Sequence, residues 1–307
     1  MADPANFSAE LNMESGHRIT PEETAALWQA IRQEALEDAD SEPLLSSFLY
    51  ASVLSHSSFE RSLAFVLSNR LNDATLLATE LYAVFLEVLR SCPRVPQAAL
   101  EDLCAIRARD PACLGLSQAL LYFKGFHALQ SHRIAHELWL QGRRLMASAL
   151  QSRASEAFAV DIHPGARLGR GLLLDHGTGI VVGETAVVGD GVSILQGVTL
   201  GGTGKQSGDR HPKIEADVLI GASATVLGNI VVGHGAQIAA GSLVLKPVPP
   251  RTAVAGSPAR PVGAVKGNPA QRMDHLSCCP GLGLRPDGGS RGDGSRNEGG
   301  SGGSGGS

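Results

Sequence analysis

A six-residue period in the second half of the chain restricts the fold more than any other feature of the sequence. From Ile162 onward apolar residues recur at every sixth position, with a two-residue slip after Leu174 and a longer interruption after Leu200. Such a period fits a parallel β-solenoid, in which one inward branched side chain per short face fills the core and glycine allows tight corners. The inward positions are Ile162, Leu168, Leu174, Val182, Val188, Ile194, Leu200, Ile214, Ile220, Val226, Val232, Ile238 and Val244, and glycine directly follows six of them.

The interruption after Leu200 predicts a loop that leaves the solenoid. It reads GGTGKQSGDRHPK, and loops on rigid scaffolds commonly carry function. Its Arg210 offers a planar fork that suits a carboxylate, although a solvated charge cluster would explain the same residues. GGTGK is not a Walker motif, because the glycine spacing is wrong and no Ser or Thr follows the lysine. Backbone donors placed close to a thioester remain an alternative for this loop.

Glycine usage divides the chain into two architectures. Four glycines precede Asp161, twenty-one lie between Ile162 and Pro280, and twelve follow. The glycine-poor part predicts helices, starting with a capping box at Thr20 and Glu23, then over 44–54, 58–71, 74–89, 97–109 and 117–152. We therefore expect a flexible N-terminus over 1–19, an α-helical domain over 20–155, a β-helix domain over 156–262 and a flexible Gly/Ser-rich tail over 263–307.

Composition argues against several classes of partner. A net charge of -4 and a pI near 6.2 leave no basic excess for nucleic acid or anionic membranes. No apolar run reaches 18 residues, and the acidic N-terminus with Asp3 and Glu10 resembles neither a signal peptide nor a transit peptide. Five cysteines without a C-x-x-C pair favour reduced thiols. These features predict a cytoplasmic protein with no nucleic-acid or membrane partner.

Two solenoid residues suit acid–base chemistry on an alcohol. His176 stands in LDHGTG, after the inward Leu174 and before small residues that leave its ring accessible. An imidazole is a natural base when a carboxylate holds its far nitrogen, and Asp161 lies fifteen residues earlier, near one coil of eighteen residues. Spacing alone does not decide between a catalytic pair and an unrelated surface histidine and corner aspartate, and both interpretations are equally open.

The chain resembles the serine acetyltransferase family from about Glu22 to Val262. The strings that carry this resemblance are RARDPA, YFKGFHALQSHRIAHELW, FAVDIHPGARLGRG, LLDHGTGIVVGETAVVGDGVSILQGVTLGGTGK, GDRHPKI and AGSPAR, and EPLLSSFLY and SHSSFERSLAFVLSNRL look most like the plant and algal branch. The resemblance implies an α+β fold, with an N-terminal all-α oligomerisation domain followed by a left-handed parallel β-helix of hexapeptide repeats that carries catalysis. It also implies acetyl transfer from acetyl-CoA to the L-serine hydroxyl, giving O-acetyl-L-serine in cysteine biosynthesis, with feedback inhibition by L-cysteine.

The same resemblance assigns roles to individual positions. His176 would be the general base and Asp161 would orient it. Asp110 and Asp175 would hold the substrate ammonium, Arg210 would bind its carboxylate, and His211 would complete the pocket. The acetyl-CoA groove would be lined by Gly202, Thr203, Gly204, Lys205, Ala222 and Ala240. No metal and no cofactor beyond the co-substrate acetyl-CoA are implied.

The family also implies an assembly, namely a trimer that pairs into a dimer of trimers. A complex with O-acetylserine sulfhydrylase is disfavoured, because the isoleucine that ends many family members is absent here. The chain departs from the family at two positions: Gly177, where the family often has alanine, and Gln237, where it often has lysine. We expect the change at Gln237 to alter contacts with the CoA phosphates. Plant-type relatives also occupy plastids and mitochondria, so those compartments stay open if a transit peptide has been removed.

Three other functions remain open from the sequence. A hexapeptide-repeat acetyltransferase for sugars or other alcohols would share the solenoid, the base and the groove. A carbonic anhydrase on the same solenoid would need three histidines converging on zinc across subunits, drawn from His163, His176, His211 and His234. A non-catalytic scaffold for the sulfhydrylase is the third, and the absent terminal isoleucine argues against it.

Overall fold

The computed structural model describes residues 18–204 and 207–274. Helices fill the chain to Phe158 and short strands follow from Val160, which confirms the predicted order of a helical region and a parallel β-solenoid. The tails predicted to be flexible, up to residue 17 and from residue 275, and the loop residue Lys205 lie outside the described residues. Within the described part, no helix is long and apolar enough to cross a membrane.

The helical region begins as predicted. Thr20 caps the first helix, with its Oγ1 accepting from the Glu23 backbone N–H at 3.2 Å while the Glu23 carboxylate accepts from the Thr20 N–H at 2.7 Å. The helices are α1 Pro21–Ser41, α2 Ser46–Leu49, α3 Phe59–Leu71, α4 Ala78–Ser91, α5 Arg94–Arg109, α6 Leu116–Tyr122, α7 Lys124–Leu140 and α8 Arg144–Phe158; a 3-10 turn, Pro43–Leu45, and a π-turn, Tyr50–Leu54, flank α2.

Two helix predictions are wrong. The expected single helix over 117–152 is three helices, because the chain turns at the partly buried Phe123 and again at Gly142, whose φ of 81° suits glycine. The helix expected from residue 74 starts at Ala78, because Asp73 Oδ1 accepts from the backbone N–H groups of Thr75 and Leu76 and holds a turn there.

The solenoid stacks its coils in the predicted register. Ile162 pairs with Val182, and Val182 pairs with Leu200, so successive inward residues lie above one another. The predicted inward positions are buried except Leu168, which is partly buried. The strands are β1 Val160–Ile162, β2 Arg167–Leu168, β3 Leu173–Leu174, β4 Ile180–Val182, β5 Val187–Val188, β6 Ser193–Ile194, β7 Thr199–Gly201, β8 Lys213–Ile214, β9 Leu219–Ile220, β10 Thr225–Leu227, β11 Val231–Val232, β12 Gln237–Ile238, β13 Leu243–Val244, β14 Thr252–Gly256 and β15 Ala259–Ala264.

Each of the first four coils contributes one strand to each of three parallel sheets, and the last coil contributes strands to two of them. Sheet A contains β1, β4, β7, β10 and β13, sheet B contains β2, β5, β8 and β11, and sheet C contains β3, β6, β9, β12 and β14, with β15 added antiparallel at its end. Three names are used for the turns between sheets. Corner CA is the turn from a strand of sheet C to the next strand of sheet A, corner AB is the turn from sheet A to sheet B, and corner BC is the turn from sheet B to sheet C. The left-handed coiling stays a prediction.

Residues 263–274, predicted to belong to the flexible tail, are instead ordered. β15 continues to Ala264, and a short helix, α9 Pro269–Arg272, places Ala270 in a fully buried position. Ser193 on sheet C donates to the Ala270 carbonyl at 2.9 Å, and Gln237 donates to the Asp274 carbonyl at 2.7 Å. The sequence does not reveal this order because two adjacent buried residues, Pro269 and Ala270, and backbone acceptors hold the segment, and neither feature produces a periodic pattern.

A buried ion pair joins the helical region to the solenoid. Asp102 on α5 is fully buried and accepts from the Arg133 guanidinium at 2.7 Å and from Gln130 at 2.9 Å. Its other oxygen accepts from the backbone N–H of Leu172 in the first coil at 2.8 Å. One carboxylate thus connects two helices and the solenoid.

Replacing Asp102 with alanine should destabilise the protein by about 3–5 kcal/mol, because it leaves the Arg133 charge buried without a partner. The free energy of unfolding from denaturant titration measures this. The matched control is Glu87→Ala, which removes the exposed ion pair with Arg143 at 3.6 Å and should change stability by no more than about 1 kcal/mol. Equal losses in the two variants would contradict the structural role of Asp102.

Candidate active site

The turn that carries His176 lies at corner CA of the first coil. It occupies the two-residue slip in the sequence period, between β3 and β4, and His176 itself has a φ of 56°. The start of α7 packs against this turn so closely that a Cβ on Gly125 would lie 2.1 Å from the Leu174 carbonyl oxygen. The His176 ring remains 73% exposed, with its Nε2 3.9 Å from Asp175 Oδ1. The fold therefore presents an accessible imidazole on a rigid corner.

Asp161 lies on the neighbouring strand β1. Its flanking residues Val160 and Ile162 point into the core, so its own side chain points outward. A Cβ on Gly177 would lie 3.3 Å from Val160, which shows that the His176 turn borders this strand. Within the described residues the Asp161 carboxylate accepts from Gln151 Nε2 at 2.7 Å and makes no hydrogen bond to His176. The structure thus places the two predicted catalytic residues on adjacent segments without joining them.

Asp110 follows the end of α5 and is half-buried. Its Oδ1 accepts from the Ala112 backbone N–H at 2.8 Å. The preceding Arg109, which the sequence analysis did not single out, is buried and donates to Ser193 Oγ on sheet C at 3.2 Å. Burial lowers the pKa of Arg109 to about 10. This contact fixes the end of α5, and with it Asp110, against sheet C, whose strands lead into corner CA.

Arg210 and His211 are held at corner AB by Thr185, a residue that the sequence analysis missed. Thr185 Oγ1 accepts from the backbone N–H of Arg210 at 3.0 Å and from that of His211 at 3.1 Å. The Arg210 guanidinium donates to Glu184 at 2.9 Å, and this hydrogen bond lowers the pKa of the Glu184 carboxyl. The loop that interrupts the repeat is therefore anchored where it rejoins the solenoid.

The hydrogen bonds of His211 indicate its tautomer. The ring is 7% exposed, and its Nδ1 accepts from the Thr185 backbone N–H at 3.1 Å and lies 2.9 Å from Thr185 Oγ1. Burial, followed by the charge of Arg210, lowers the pKa of His211. A neutral imidazole whose Nδ1 accepts carries its proton on Nε2. His211 is therefore a hydrogen-bond donor through Nε2.

The predicted groove residues divide between two corners. Ala222 and Ala240 lie at corner CA, in the column that begins with the His176 turn, where the Gly241 N–H donates to the Ala222 carbonyl at 2.8 Å. Gly202, Thr203 and Gly204 lie in the loop at corner AB, and a Cβ on Gly202 would lie 3.5 Å from Arg210 Cγ.

The expectation that Gln237 alters CoA phosphate contacts stays a prediction. Gln237 is buried on sheet C, where its side chain donates to the Asp274 carbonyl. Its amide is thus engaged by the C-terminal segment.

Within a single protomer, the two halves of the predicted site therefore lie apart. Corner CA carries His176 and Asp175, whereas corner AB carries Arg210 and His211, and strand β4 lies between them. The three residues of β4 alone span about 10 Å, which is several hydrogen-bond lengths. A small amino acid cannot contact both corners of the same protomer.

The solenoid histidines are also dispersed. His163 and His211 lie at corner AB, His176 at corner CA and His234 at corner BC. Among the described residues no group of three or more His, Cys, Asp or Glu side chains is arranged to hold a metal ion.

The solenoid and its corner residues define a hexapeptide-repeat transferase. A family profile described as bacterial transferase hexapeptide (six repeats) matches residues 211–246, and one described as serine acetyltransferase, N-terminal, matches residues 27–131.

Proteins of known identity give the same result. The chain is 59% identical over 234 residues to Serine acetyltransferase 2 of Arabidopsis thaliana, covering 76% of this chain and 72% of the relative. It is 60% identical over 253 residues to Probable serine acetyltransferase 1 of Oryza sativa subsp. japonica, covering 82% and 84%. The chain therefore belongs to the serine acetyltransferase family.

Solved structures extend this comparison to bound ligands. Soybean serine acetyltransferase complexed with serine matches with a TM-score of 0.77 and 59% identity, covering 79% of this chain and all of that one. The Brucella abortus enzyme in complex with coenzyme A matches with a TM-score of 0.77 and 52% identity, covering 78% and 96%. A serine acetyltransferase in complex with cysteine matches with a TM-score of 0.81 and 50% identity, covering 82% and 98%.

Proposed function

We propose that the protein transfers the acetyl group of acetyl-CoA to the side-chain hydroxyl of L-serine, producing O-acetyl-L-serine and CoA. The observation that carries this proposal is the anchored pair Arg210 and His211, which offers a guanidinium and a neutral N–H donor to a carboxylate. A sugar acceptor has no carboxylate to pair with Arg210. One relative has been solved with serine and another with coenzyme A, which supports serine as the acceptor and a CoA thioester as the donor.

The chemistry requires one base and a direct transfer. His176 accepts the hydroxyl proton as the serine oxygen attacks the thioester carbonyl. The resulting tetrahedral oxyanion is stabilised by backbone N–H donors, and it collapses by breaking the carbon–sulfur bond. The departing CoA thiolate takes the proton back from the His176 imidazolium. Asp161 orients the imidazole and stabilises its charged form, as carboxylates do in related acid–base pairs.

The substrate would be held at both ends. Asp110 and Asp175 bind its ammonium, while Arg210 and His211 bind its carboxylate. In the free protein the Glu184 carboxylate occupies the Arg210 guanidinium, so a substrate carboxylate joins or replaces an existing ion pair. L-cysteine carries the same ammonium and carboxylate, which supports feedback inhibition in this pocket.

The assembly completes the site. We propose a trimer in which corner CA of one protomer faces corner AB of the next, since one chain cannot bring these corners together. The groove between them would hold acetyl-CoA against Gly202, Thr203, Gly204, Lys205, Ala222 and Ala240. The helical domain over 20–155 would pair two trimers into a hexamer. The cytoplasmic location stays a prediction.

The acceptor is identified by the release of free CoA thiol from acetyl-CoA. Purified protein is offered L-serine, D-serine, ethanolamine, which lacks the carboxylate, or a hexose. We expect rapid release with L-serine alone. Release with ethanolamine or the hexose at a rate equal to that with L-serine would overturn the assignment, and so would the absence of serine-dependent release from folded protein.

Replacing Thr185 with valine should raise the KM for serine by roughly 5- to 150-fold, because two backbone hydrogen bonds that hold Arg210 and His211 are lost at about 0.5–1.5 kcal/mol each. The substitution keeps the side-chain shape, so kcat should change less. Steady-state kinetics with serine as the varied substrate measure both. An unchanged KM for serine would show that the loop keeps its place without Thr185.

A further inference from the structure

We propose that Gln151 is a positioning residue for the transfer reaction: its side-chain amide holds the Asp161 carboxylate in the orientation that the base His176 requires. The proposal rests on the function assigned above, because it assumes that Asp161 orients His176. Gln151 belongs to the helical region, as Asp110 does, whereas Asp161 and His176 lie on the solenoid. Helix α8 would thereby become part of the site.

The chain geometry brings the two side chains together. Helix α8 ends at Phe158, and Ala159 has a φ of 55°, which turns the chain directly into β1. Strand β1 then runs back along the helix, so a residue about two helical turns before the helix end faces it. Since Val160 and Ile162 point into the core, Asp161 points toward α8, where Gln151 Nε2 donates to its Oδ1 at 2.7 Å.

The helix is a rigid support for this contact. The neighbours of Gln151 on its inner face, Leu150 and Ala154, are buried. Arg153 on the same helix donates to the backbone carbonyls of Leu71 and Asn72, each at 3.0 Å. Because α8 is fixed on two sides, the amide of Gln151 is fixed with it.

A neutral amide suits the role better than a cation would. A carboxylate that orients an imidazole must keep its negative charge, because that charge stabilises the imidazolium formed during the reaction. An arginine at position 151 would orient Asp161 but would also neutralise it, whereas glutamine donates one N–H and adds no charge. Among the described residues, Gln151 provides the one hydrogen bond to Asp161, and the Oδ2 oxygen is left for the imidazole N–H.

The test is a double-mutant cycle between Gln151→Leu and Asp161→Asn, followed by serine-dependent CoA release. Gln151→Leu removes the donor at similar volume and should lower kcat by about 10- to 100-fold, as removal of such supporting partners typically does. The KM for serine should stay within about 2-fold, because no substrate contact is lost. In the Asp161→Asn background the same substitution should have no further effect on kcat, since residues that act as a unit are not additive.

The control is Gln29→Leu, the same change at an exposed position of helix α1, and it should retain wild-type kcat. Gln151→Glu, which keeps the side-chain shape but places a second carboxylate against Asp161, replaces Gln151→Leu if that variant does not fold, and it should lower kcat at least as much.

Three results overturn the proposal: an unchanged kcat in folded Gln151→Leu, an equal loss of kcat in both backgrounds, or a loss confined to KM. Failure of the proposed function is distinguishable, because the wild type would then show no serine-dependent release.

Discussion

Replacement of His176 should abolish most serine-dependent CoA release while leaving the fold intact. Loss of a positioned general base typically costs about 10²–10⁴-fold in rate, and no other imidazole lies at corner CA among the described residues. His176 has a φ of 56°, a conformation that asparagine tolerates better than alanine. His176→Asn is therefore the preferred variant, with His176→Ala beside it, and thiol release at saturating substrates is the measurement.

The matched control is His234→Ala, because His234 is also a partly exposed solenoid histidine next to an aspartate, with its Nδ1 3.8 Å from Asp217 Oδ2. It lies at corner BC, away from both halves of the site, so its rate should stay near that of the wild type. If His176→Asn kept more than about a tenth of the wild-type rate, a role as general base would be untenable. An equal loss in the His234 variant would instead indicate damage to the solenoid.

The solenoid was predictable because its core is periodic. One inward apolar residue per face is a physical requirement that repeats in every coil, so Val182, Leu200 and Val226 could be placed in register from spacing alone. The slip after Leu174 also had a structural meaning, since its two extra residues form the turn that presents His176. The break in the strict repeat thus marks the turn that carries the proposed base.

The supporting residues were not predictable in the same way. Thr185 accepts hydrogen bonds from residues 25 and 26 positions away, and Gln151 donates one to a residue 10 positions away along the chain. Pairings of this kind leave no periodic trace. The requirement for glycine at position 125 was equally hard to predict, because it arises from the close approach of Leu174, which lies on another element. The separation of the site into corners CA and AB likewise follows from which sheet each strand joins, and spacing does not contain that information.

Mixing two inactive variants should restore activity if the site forms between protomers. His176→Asn destroys corner CA and Arg210→Ala destroys corner AB, so each homo-oligomer has only defective sites. In a mixed ring of three protomers, a site is intact when its corner CA comes from an Arg210→Ala chain, which keeps His176. Its corner AB must then come from a neighbouring His176→Asn chain, which keeps Arg210. Random mixing in a cyclic trimer makes this arrangement at about one quarter of the sites, so co-expressed variants should recover about a quarter of wild-type activity.

The recovery distinguishes the two geometries without a structure of the assembly. If one chain supplied both corners to its own site, every mixed oligomer would stay inactive, because each chain carries one lesion. The control mixes His176→Asn with Asp175→Ala, two lesions in the same corner CA turn. No mixed site then has an intact corner CA, so this pair should give no recovery. Activity from the control pair, or none from the test pair, would contradict a site shared between corner CA and corner AB of adjacent protomers.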